Sequence, residues 1–193
     1  MPEAQVKIAG TKIMATGPLL ITHWGMSGPA ILKCSAWGAR ELANLGYAFT
    51  IRVNWIPSYA EQDLRTAWPL IRAEQGNTKV GGRNPFELPN RLWLHLLDLC
   101  GIDAGVTWAT LTAAAQNKLI TALTAFECKV SGKTTFKDEF VTCGGIKLSE
   151  IDANTMQSKI VKGLYFAGEI MDIDGITGGF NFQNAWTSGW IAA

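Results

Sequence analysis

The stretch GLYFAGEIMDIDGITGGFN, residues 163–181, decides how this chain is interpreted. Its apolar beginning predicts a short buried strand that ends at Gly168 and Glu169, a glycine-rich loop follows, and residues 181–193 predict a helix. A carboxylate at the end of a strand accepts hydrogen bonds from hydroxyl groups, and the N–H groups at a helix start stabilise negative charge. The stretch therefore predicts a cradle for an anion or a cofactor.

A reduced flavin needs both features, because its ribityl chain carries hydroxyl groups and its pyrimidine side becomes negative. Gly175, Gly178 and Gly179 permit positive φ and let the backbone approach a flat ring closely. Glycine-rich turns are common, so the residues alone leave open an ordinary strand–helix junction. Asp172 and Asp174 lack the distal glutamate of a calcium loop, and we assign no metal to them.

In the rest of the chain, sheet signals surround a helical block. Alternating or β-branched runs predict strands at residues 6–9, 12–15, 47–55, 127–131 and 139–143. Helical periodicity predicts helices at residues 28–45, 61–74, 88–100 and 110–126. We therefore predict an α+β fold. A helical subdomain (58–126) is thus inserted between strands of one β domain (residues 1–57 and 127–145), and a strand, loop and helix follow at the C-terminus (146–193).

The composition predicts a surface that is unusually apolar. Of the 193 residues, 48% are hydrophobic and 17% are charged, against about 25% charged in an average soluble protein. Eight Trp and eight Phe add to this, and exposed aromatic side chains mark interfaces or ligand grooves. The net charge is +1 with neither sign gathered in a run, so we expect no nucleic-acid partner.

The cysteines and the hydropathy bear on location. Cys34, Cys100, Cys128 and Cys143 are scattered without a CxxC pair, which favours reduced thiols in a cytoplasmic protein. Residues 2–5 contain no apolar leader, and no stretch approaches the roughly 18 apolar residues that span a bilayer. We expect neither an export signal nor a membrane partner.

Two polar side chains near residue 25 have alternative roles. His23, between strand and helix, is a candidate catalytic proton donor, or else a structural side chain that bonds to nearby backbone. Ser27 is interpreted as a helix cap rather than a nucleophile, because no GxSxG elbow surrounds it.

Three blocks of the sequence resemble one known family. Residues 163–186 are similar to the C-terminal signature of the BaiN-like flavoproteins, also called YhiN-like or aminoacetone oxidase-like. Residues 143–159 resemble the family's stretch before that signature, and GPLLITHWGMSGPA at residues 17–30 resembles its internal THxGxSGP motif. The blocks occur in the family's order and together extend from residue 17 to residue 186 of the 193-residue chain.

The resemblance implies a bacterial FAD-dependent oxidoreductase whose FAD domain is interrupted by a β-barrel-like domain with a helical insertion. It makes residues 1–57 and 127–145 the β-barrel-like insert domain, residues 58–126 its helical subdomain, and residues 146–193 the C-terminal portion of the FAD-binding α/β domain. It implies hydride transfer between flavin and a small organic substrate or NAD(P)H. It places Gly168 and Glu169 at the ribityl and pyrophosphate part of FAD, and residues 178–181 at the pyrimidine. The cofactor-binding positions assigned in this way are Gly168, Glu169, Asp174, Gly175, Thr177, Gly178, Gly179, Phe180 and Asn181.

The sequence departs from the family in one respect. The family's FAD domain begins with a strand, a GxGxxG turn and a helix, whereas the nearest glycine pairs here, residues 81–82 and 144–145, lie outside such a pattern. We therefore expect an incomplete FAD-binding domain in a C-terminal fragment that lacks most adenosine and pyrophosphate contacts. Alone, such a chain would be inactive and would bind FAD weakly or not at all.

Two other interpretations remain. The chain can be a catalytically silent module that pairs with a separate nucleotide-binding chain. It can also be a carbohydrate- or lipid-binding barrel, although that leaves residues 168–181 unexplained. If strands of a nucleotide-binding domain normally cover residues 163–193, the apolar side of this C-terminal block is exposed here, and self-association through it is expected.

Overall fold

The computed structural model describes residues 1–133, 141–176 and 178–193. These residues form two compact units. Unit 1 contains residues 1–31 and 49–130, and unit 2 contains residues 32–48 and 131–193. The two units are defined by spatial contacts, and they do not test the domain bounds at residues 57, 126 and 145, which stay a prediction from the sequence.

The sheet of unit 1 is centred on strand β1, Ala4–Ile8. Ala4, Val6 and Ile8 alternate with more exposed residues, so one face of the strand enters the core. Strand β1 pairs antiparallel with β2 (Met14–Gly17) on one side and β5 (Ala48–Asn54) on the other. Strand β6 (Phe126–Ser131) follows β5 at the edge.

The predicted α+β class is confirmed, but the strands of the described residues do not close into a barrel. The sheet of unit 1 is open and four-stranded, with the order β2-β1-β5-β6. The short alternating strands predict a sheet with one buried face, and such a pattern is shared by open sheets and barrels. The strand predicted for residues 139–143 falls partly outside the described residues and remains a prediction.

A small hairpin leads from the sheet into the first helix. Strands β3 (Leu20–Ile21) and β4 (Met26–Ser27) pair antiparallel, and α1 (Pro29–Trp37) begins two residues later. Gly28 connects them with φ of +98°, and a Cβ there would lie 2.9 Å from the Pro18 carbonyl oxygen. Only glycine fits this backbone approach.

The single helix predicted at residues 28–45 is two helices. Helix α1 ends at Trp37, and α2 (Ala39–Asn44) starts after Gly38, whose φ and ψ are −99° and 5°. Glycine is the weakest helix former apart from proline, which explains a break there.

Three helices form the rest of unit 1 and match the predicted periodicity closely. They are α3 (Glu61–Gln75), α4 (Asn90–Leu99) and α5 (Ala113–Thr124). Their core is aromatic: the ring centroids of Trp93 and Trp108 are 6.1 Å apart, and those of Trp68 and Trp108 are 5.7 Å apart. All three indoles are essentially buried, so these tryptophans are core residues.

The strand predicted at residues 163–169 is absent from the described structure. Tyr165 forms an isolated bridge with Gln157, and Leu164 and Tyr165 are exposed. An apolar run becomes a buried strand only where neighbouring strands satisfy its backbone, and here the described residues supply a single bridge. The predicted C-terminal helix is present as α6, Phe180–Ala192. In the described part of the chain, the helices fall short of the length and hydropathy that a bilayer crossing requires.

Candidate functional site

The predicted cradle lies in unit 2, and helix α6 anchors its first turn. Gly168, with φ of +76°, begins a 3₁₀ turn, Gly168–Ile170. Its N–H donates to the Ser188 Oγ at 2.9 Å, and that hydroxyl donates to the Asn184 carbonyl at 2.6 Å. Ser188 is only 2% exposed, so this contact is shielded from water. The Glu169 side chain in the same turn is exposed to solvent.

A short parallel bridge holds the segment after this turn. The Ile146 N–H donates to the Ile170 carbonyl at 2.8 Å, and the Asp172 N–H donates to the Ile146 carbonyl at 2.9 Å. Gly145 has φ of +144°, and a Cβ there would lie 2.6 Å from both the Ile170 oxygen and the Met171 carbonyl carbon. The glycine pair that the sequence left without a function is therefore the place where two backbone segments meet.

Four charged or titratable side chains gather around this bridge. Arg40 on α2 donates from Nη2 to both carboxylate oxygens of Asp172, at 2.6 and 2.7 Å. The hydrogen bond to Asp172 is the main reason that the pKa of Arg40 is raised, and a contact with Cys143 adds to it. The hydrogen bond with Asp174 raises the pKa of the Cys143 thiol, and Arg40 partly opposes this.

The glycine-rich loop is fixed to the start of α6 by one side chain. The Asn181 Oδ1 accepts from the Gly175 N–H at 2.7 Å, and its Nδ2 donates to the Gly175 carbonyl at 3.0 Å. A Cβ on Gly175 would lie 3.0 Å from the Phe180 Cβ. The structure therefore brings these three predicted site residues together and gives the Asn181 amide a positioning role in the loop. Thr177 lies outside the described residues.

The start of α6 is exposed and carries no side-chain cap. Gly179 occupies the N-cap position in the left-handed region, with φ of +89°. Because glycine has no side chain, it supplies no capping hydrogen bond to the helix. Phe180 is exposed, and Phe182 and Trp186 stack with ring centroids 6.2 Å apart. Gly178, Gly179 and Phe180 thus place an accessible helix N-terminus beside exposed aromatic rings.

The candidate catalytic residue, His23, lies in unit 1. His23 is exposed in the turn between β3 and β4, with its ring 6.0 Å from that of Trp24. The turn is closed by the Thr22 N–H, which donates to the Gly25 carbonyl at 2.8 Å. Ser27 ends β4 immediately before Gly28. A catalytic role of His23 remains a prediction.

Comparison with known proteins identifies the family. The family model described as "HI0933-like protein barrel and H2TH domain" matches residues 1–141. The chain belongs to this family. The resemblance to the BaiN-like flavoproteins is confirmed, and the family is one of FAD-dependent oxidoreductases.

Three curated relatives of this HI0933-like chain are informative. The ribosomal RNA dihydrouridine synthase of Escherichia coli K12 is 35% identical over 176 residues, 91% of this chain and 41% of the relative. The 3-dehydro-bile acid delta(4,6)-reductase of Clostridium scindens is 28% identical over 194 residues, 96% of this chain and 46% of the relative. The ribosomal RNA dihydrouridine synthase of Haemophilus influenzae is 30% identical over 177 residues, 91% and 41%. The chain thus spans less than half the length of each.

The residues of the cradle fit one side of a flavin. The exposed carboxylate of Glu169 can accept from ribityl hydroxyls, and the start of α6 offers N–H groups and a positive pole to the pyrimidine edge. A Cβ on Gly179 would meet no atom within 4 Å in the described structure, so the backbone there stays open to a flat ring, whereas the Phe180 ring lies 3.3 Å from the Cβ position of Gly178.

Sequence analysis missed three residues of this HI0933-like site. Ser188 and Arg40 contact the cradle from α6 and α2, and Cys143 contacts it from the segment before Gly144. Arg40 is 132 positions from Asp172, so no local spacing rule relates the two residues. The only available signal was the pair Gly144-Gly145, which is typical of close backbone approach.

Proposed function

We propose that this chain contributes one wall of the FAD site of an oxidoreductase that transfers a hydride between flavin and a small organic substrate or NAD(P)H. The observation that carries the proposal is the set of hydrogen bonds that fix residues 168–176 and 178–181. The exposed carboxylate of Glu169 lies near one end of this segment and the uncapped start of α6, at Gly179, near the other. Hydrogen bonds to Ser188 and Asn181 hold the backbone of the segment in place. When bound, FAD supplies the electron chemistry, and the residues of this wall bind and orient it.

The relatives favour a reductive direction. One is named a 3-dehydro-bile acid delta(4,6)-reductase and two are named dihydrouridine synthases. A dihydro product and a reductase both denote addition of hydrogen to a substrate. Reduced flavin carries negative charge on its pyrimidine side, and the positive pole of α6 stabilises that form relative to the neutral one. The proposed wall is thus suited to a hydride-donating flavin.

The nucleotide end of FAD needs a further segment in this proposal. This sequence has no GxGxxG turn between a strand and a helix, and the chain spans 41–46% of its relatives. We propose that such a segment, in the same or another polypeptide, completes the site, and that the protein acts in the cytoplasm. The cysteines are scattered without a CxxC pair, which favours a reducing compartment.

A flavin titration tests the proposal. The purified chain is titrated into FAD while flavin fluorescence and visible absorbance are recorded, and the titration is repeated with a dinucleotide-binding segment from a full-length relative added. Glu169→Ala should weaken binding roughly tenfold or more, the effect of losing hydrogen bonds to a charged group. Glu74→Ala, at an exposed position on α3 in unit 1, is the matched control and should leave binding unchanged. Absence of binding in both titrations would refute the proposal.

A second candidate is a catalytically silent module that pairs with a separate nucleotide-binding chain. The exposed aromatic side chains of α6 favour it, since Trp186 is 70% and Trp190 86% exposed. The two candidates differ in turnover. A complex with the nucleotide-binding segment that binds FAD but never reduces or oxidises it with any donor would favour the silent module.

The names of the relatives indicate two chemical classes of substrate. The net charge of +1 predicts no nucleic-acid partner. The family resemblance implies a small organic substrate, and the bile-acid relative agrees with that class. The two relatives named for ribosomal RNA favour uridine in RNA as the alternative. Stopped-flow oxidation of the reduced, completed enzyme by a steroid enone or by unmodified ribosomal RNA separates the two.

A further inference from the structure

We propose that Arg40 is a positioning residue of the flavin wall: through Asp172 it holds the loop of residues 170–175 in the conformation that FAD requires. The functional half of this inference rests on the proposed flavin site, whereas the positional half stands on the contacts alone. Arg40 is on α2, and Asp172 of the loop lies 132 positions further along the chain. The contact therefore joins two distant parts of the sequence inside unit 2.

The geometry of the contact is specific. One nitrogen of the guanidinium lies 2.6 and 2.7 Å from the two oxygens of Asp172. The Asp172 side chain is 23% exposed and that of Arg40 66% exposed. The carboxylate is therefore partly withdrawn from water, and its charge is balanced by one cation that reaches it from the surface.

The contact acts on a backbone that is already restrained at two other points. The Asp172 N–H donates to the Ile146 carbonyl at 2.9 Å, and Asn181 holds Gly175 by two hydrogen bonds. Between these points, Asp174 contacts Cys143, which also contacts Arg40. Among the contacts of the described residues, Arg40 is the cation that bonds directly to the loop, at Asp172, and the Cys143 thiol interacts with both Arg40 and Asp174.

Charge gives Arg40 a second effect on the same site. Glu169, Asp172 and Asp174 place three carboxylates within six residues of the chain. A reduced flavin adds negative charge beside them, and uncompensated carboxylates would oppose its binding. Because Arg40 neutralises Asp172, loss of Arg40 should weaken the binding of reduced FAD more than the binding of oxidised FAD.

The positional half is tested by amide hydrogen exchange on the chain itself. Arg40→Gln should accelerate exchange of the Asp172 and Gly175 amides by roughly two- to fivefold, the range expected for loss of a largely exposed ion pair. Arg40→Lys should restore part of the protection. Arg52→Gln is the matched control, because Arg52 forms an exposed pair with Glu127 at 2.9 Å in unit 1. Unchanged exchange in Arg40→Gln, or equal acceleration in both variants, overturns the inference.

The functional half is tested by titration of oxidised and reduced FAD on the same variants, with the nucleotide-binding segment present. If the loop must be ordered before FAD binds, apparent affinity falls by the factor by which the ordered population falls. We expect a two- to fivefold loss for oxidised FAD, a larger loss for reduced FAD and partial rescue by Arg40→Lys. Binding equal to that of the parent chain overturns the role of Arg40. If the parent chain itself fails to bind FAD, the proposed function fails, and the exchange result alone decides whether Arg40 positions the loop.

Discussion

Replacing Gly145 with alanine should loosen the loop that carries the proposed flavin wall. Gly145 packs against residues 170–172, and its φ of +144° lies in a region that side-chain-bearing residues rarely adopt. A Cβ at this position would lie 2.6 Å from the Ile170 oxygen and 2.8 Å from the Asp172 nitrogen. Neither neighbour is a flexible side chain, so the two backbone segments must separate.

The expected magnitude has two parts. Forcing alanine to positive φ costs about 1–2 kcal/mol. Separating the segments weakens the hydrogen bonds from Ile146 to Ile170 and from Asp172 to Ile146, at 2.8 and 2.9 Å, each of which contributes about 0.5–1.5 kcal/mol. Gly145→Ala should therefore destabilise this region of unit 2 by about 2–5 kcal/mol.

The adjacent residue provides the control. Gly144 has φ of +115°, but a Cβ there meets no atom within 4 Å in the described structure. Gly144→Ala should cost only the conformational part, about 1–2 kcal/mol. Amide exchange of Ile146 and Asp172, converted to local opening free energies, measures both variants. Equal destabilisation by the two substitutions would refute the argument that backbone contact at Gly145 holds the loop.

Three further predictions concern the core, the thiols and the exposed helix. Trp93→Phe should cost about 1 kcal/mol more in urea unfolding than Trp68→Phe, because the Trp93 Nε1 donates to Val80 at 2.8 Å whereas the Trp68 Nε1 has no partner in the described structure. Burial raises the pKa of Cys100 above its ordinary value of 9.0, an effect that Lys118 partly opposes. The neutral thiol therefore stabilises the fold fully below that ordinary pKa, and the contribution is lost as pH rises through the folded pKa. In Cys100→Ala, the free energy of unfolding measured in urea should therefore fall less steeply between pH 8 and 10 than in the parent chain. An equal fall in both proteins would contradict this. Light scattering should show concentration-dependent self-association that Trp190→Ser reduces, since that indole is 86% exposed; a monomer at every concentration would count against it.

Most helices and strands could be predicted because their signals are local. The 3.6-residue periodicity of α3, α4 and α5 and the alternation in β1 arise from neighbours in the sequence, and the observed bounds differ by a few residues. The break at Gly38 was missed because one glycine inside an apolar periodic run is often tolerated within a helix. The barrel was implied by the family resemblance alone, since alternation reports a buried face and does not report whether a sheet closes.

The candidate site could be predicted only in part, for a different reason. Its glycines and its acid lie in one contiguous stretch, residues 168–181, so their proximity follows from the sequence itself. The contacts that fix the stretch come from far away: Ser188 from the next helix and Arg40 from 132 positions upstream. A partner of that kind is determined by tertiary packing, which single-sequence patterns do not encode.

The missing strand at residues 163–169 follows from the same distinction between local signal and tertiary context. Its sequence favours an extended, buried conformation, yet Leu164 and Tyr165 are exposed and a single bridge to Gln157 is formed in the described structure. Strand propensity mainly measures how a side chain packs against neighbouring strands, so it has little effect where those strands are absent. The exposed apolar residues here and on α6 precede and follow the loop of the proposed flavin wall in the sequence. A nucleotide-binding segment that added strands at residues 163–169 would therefore bury this surface and complete the cofactor site in one step.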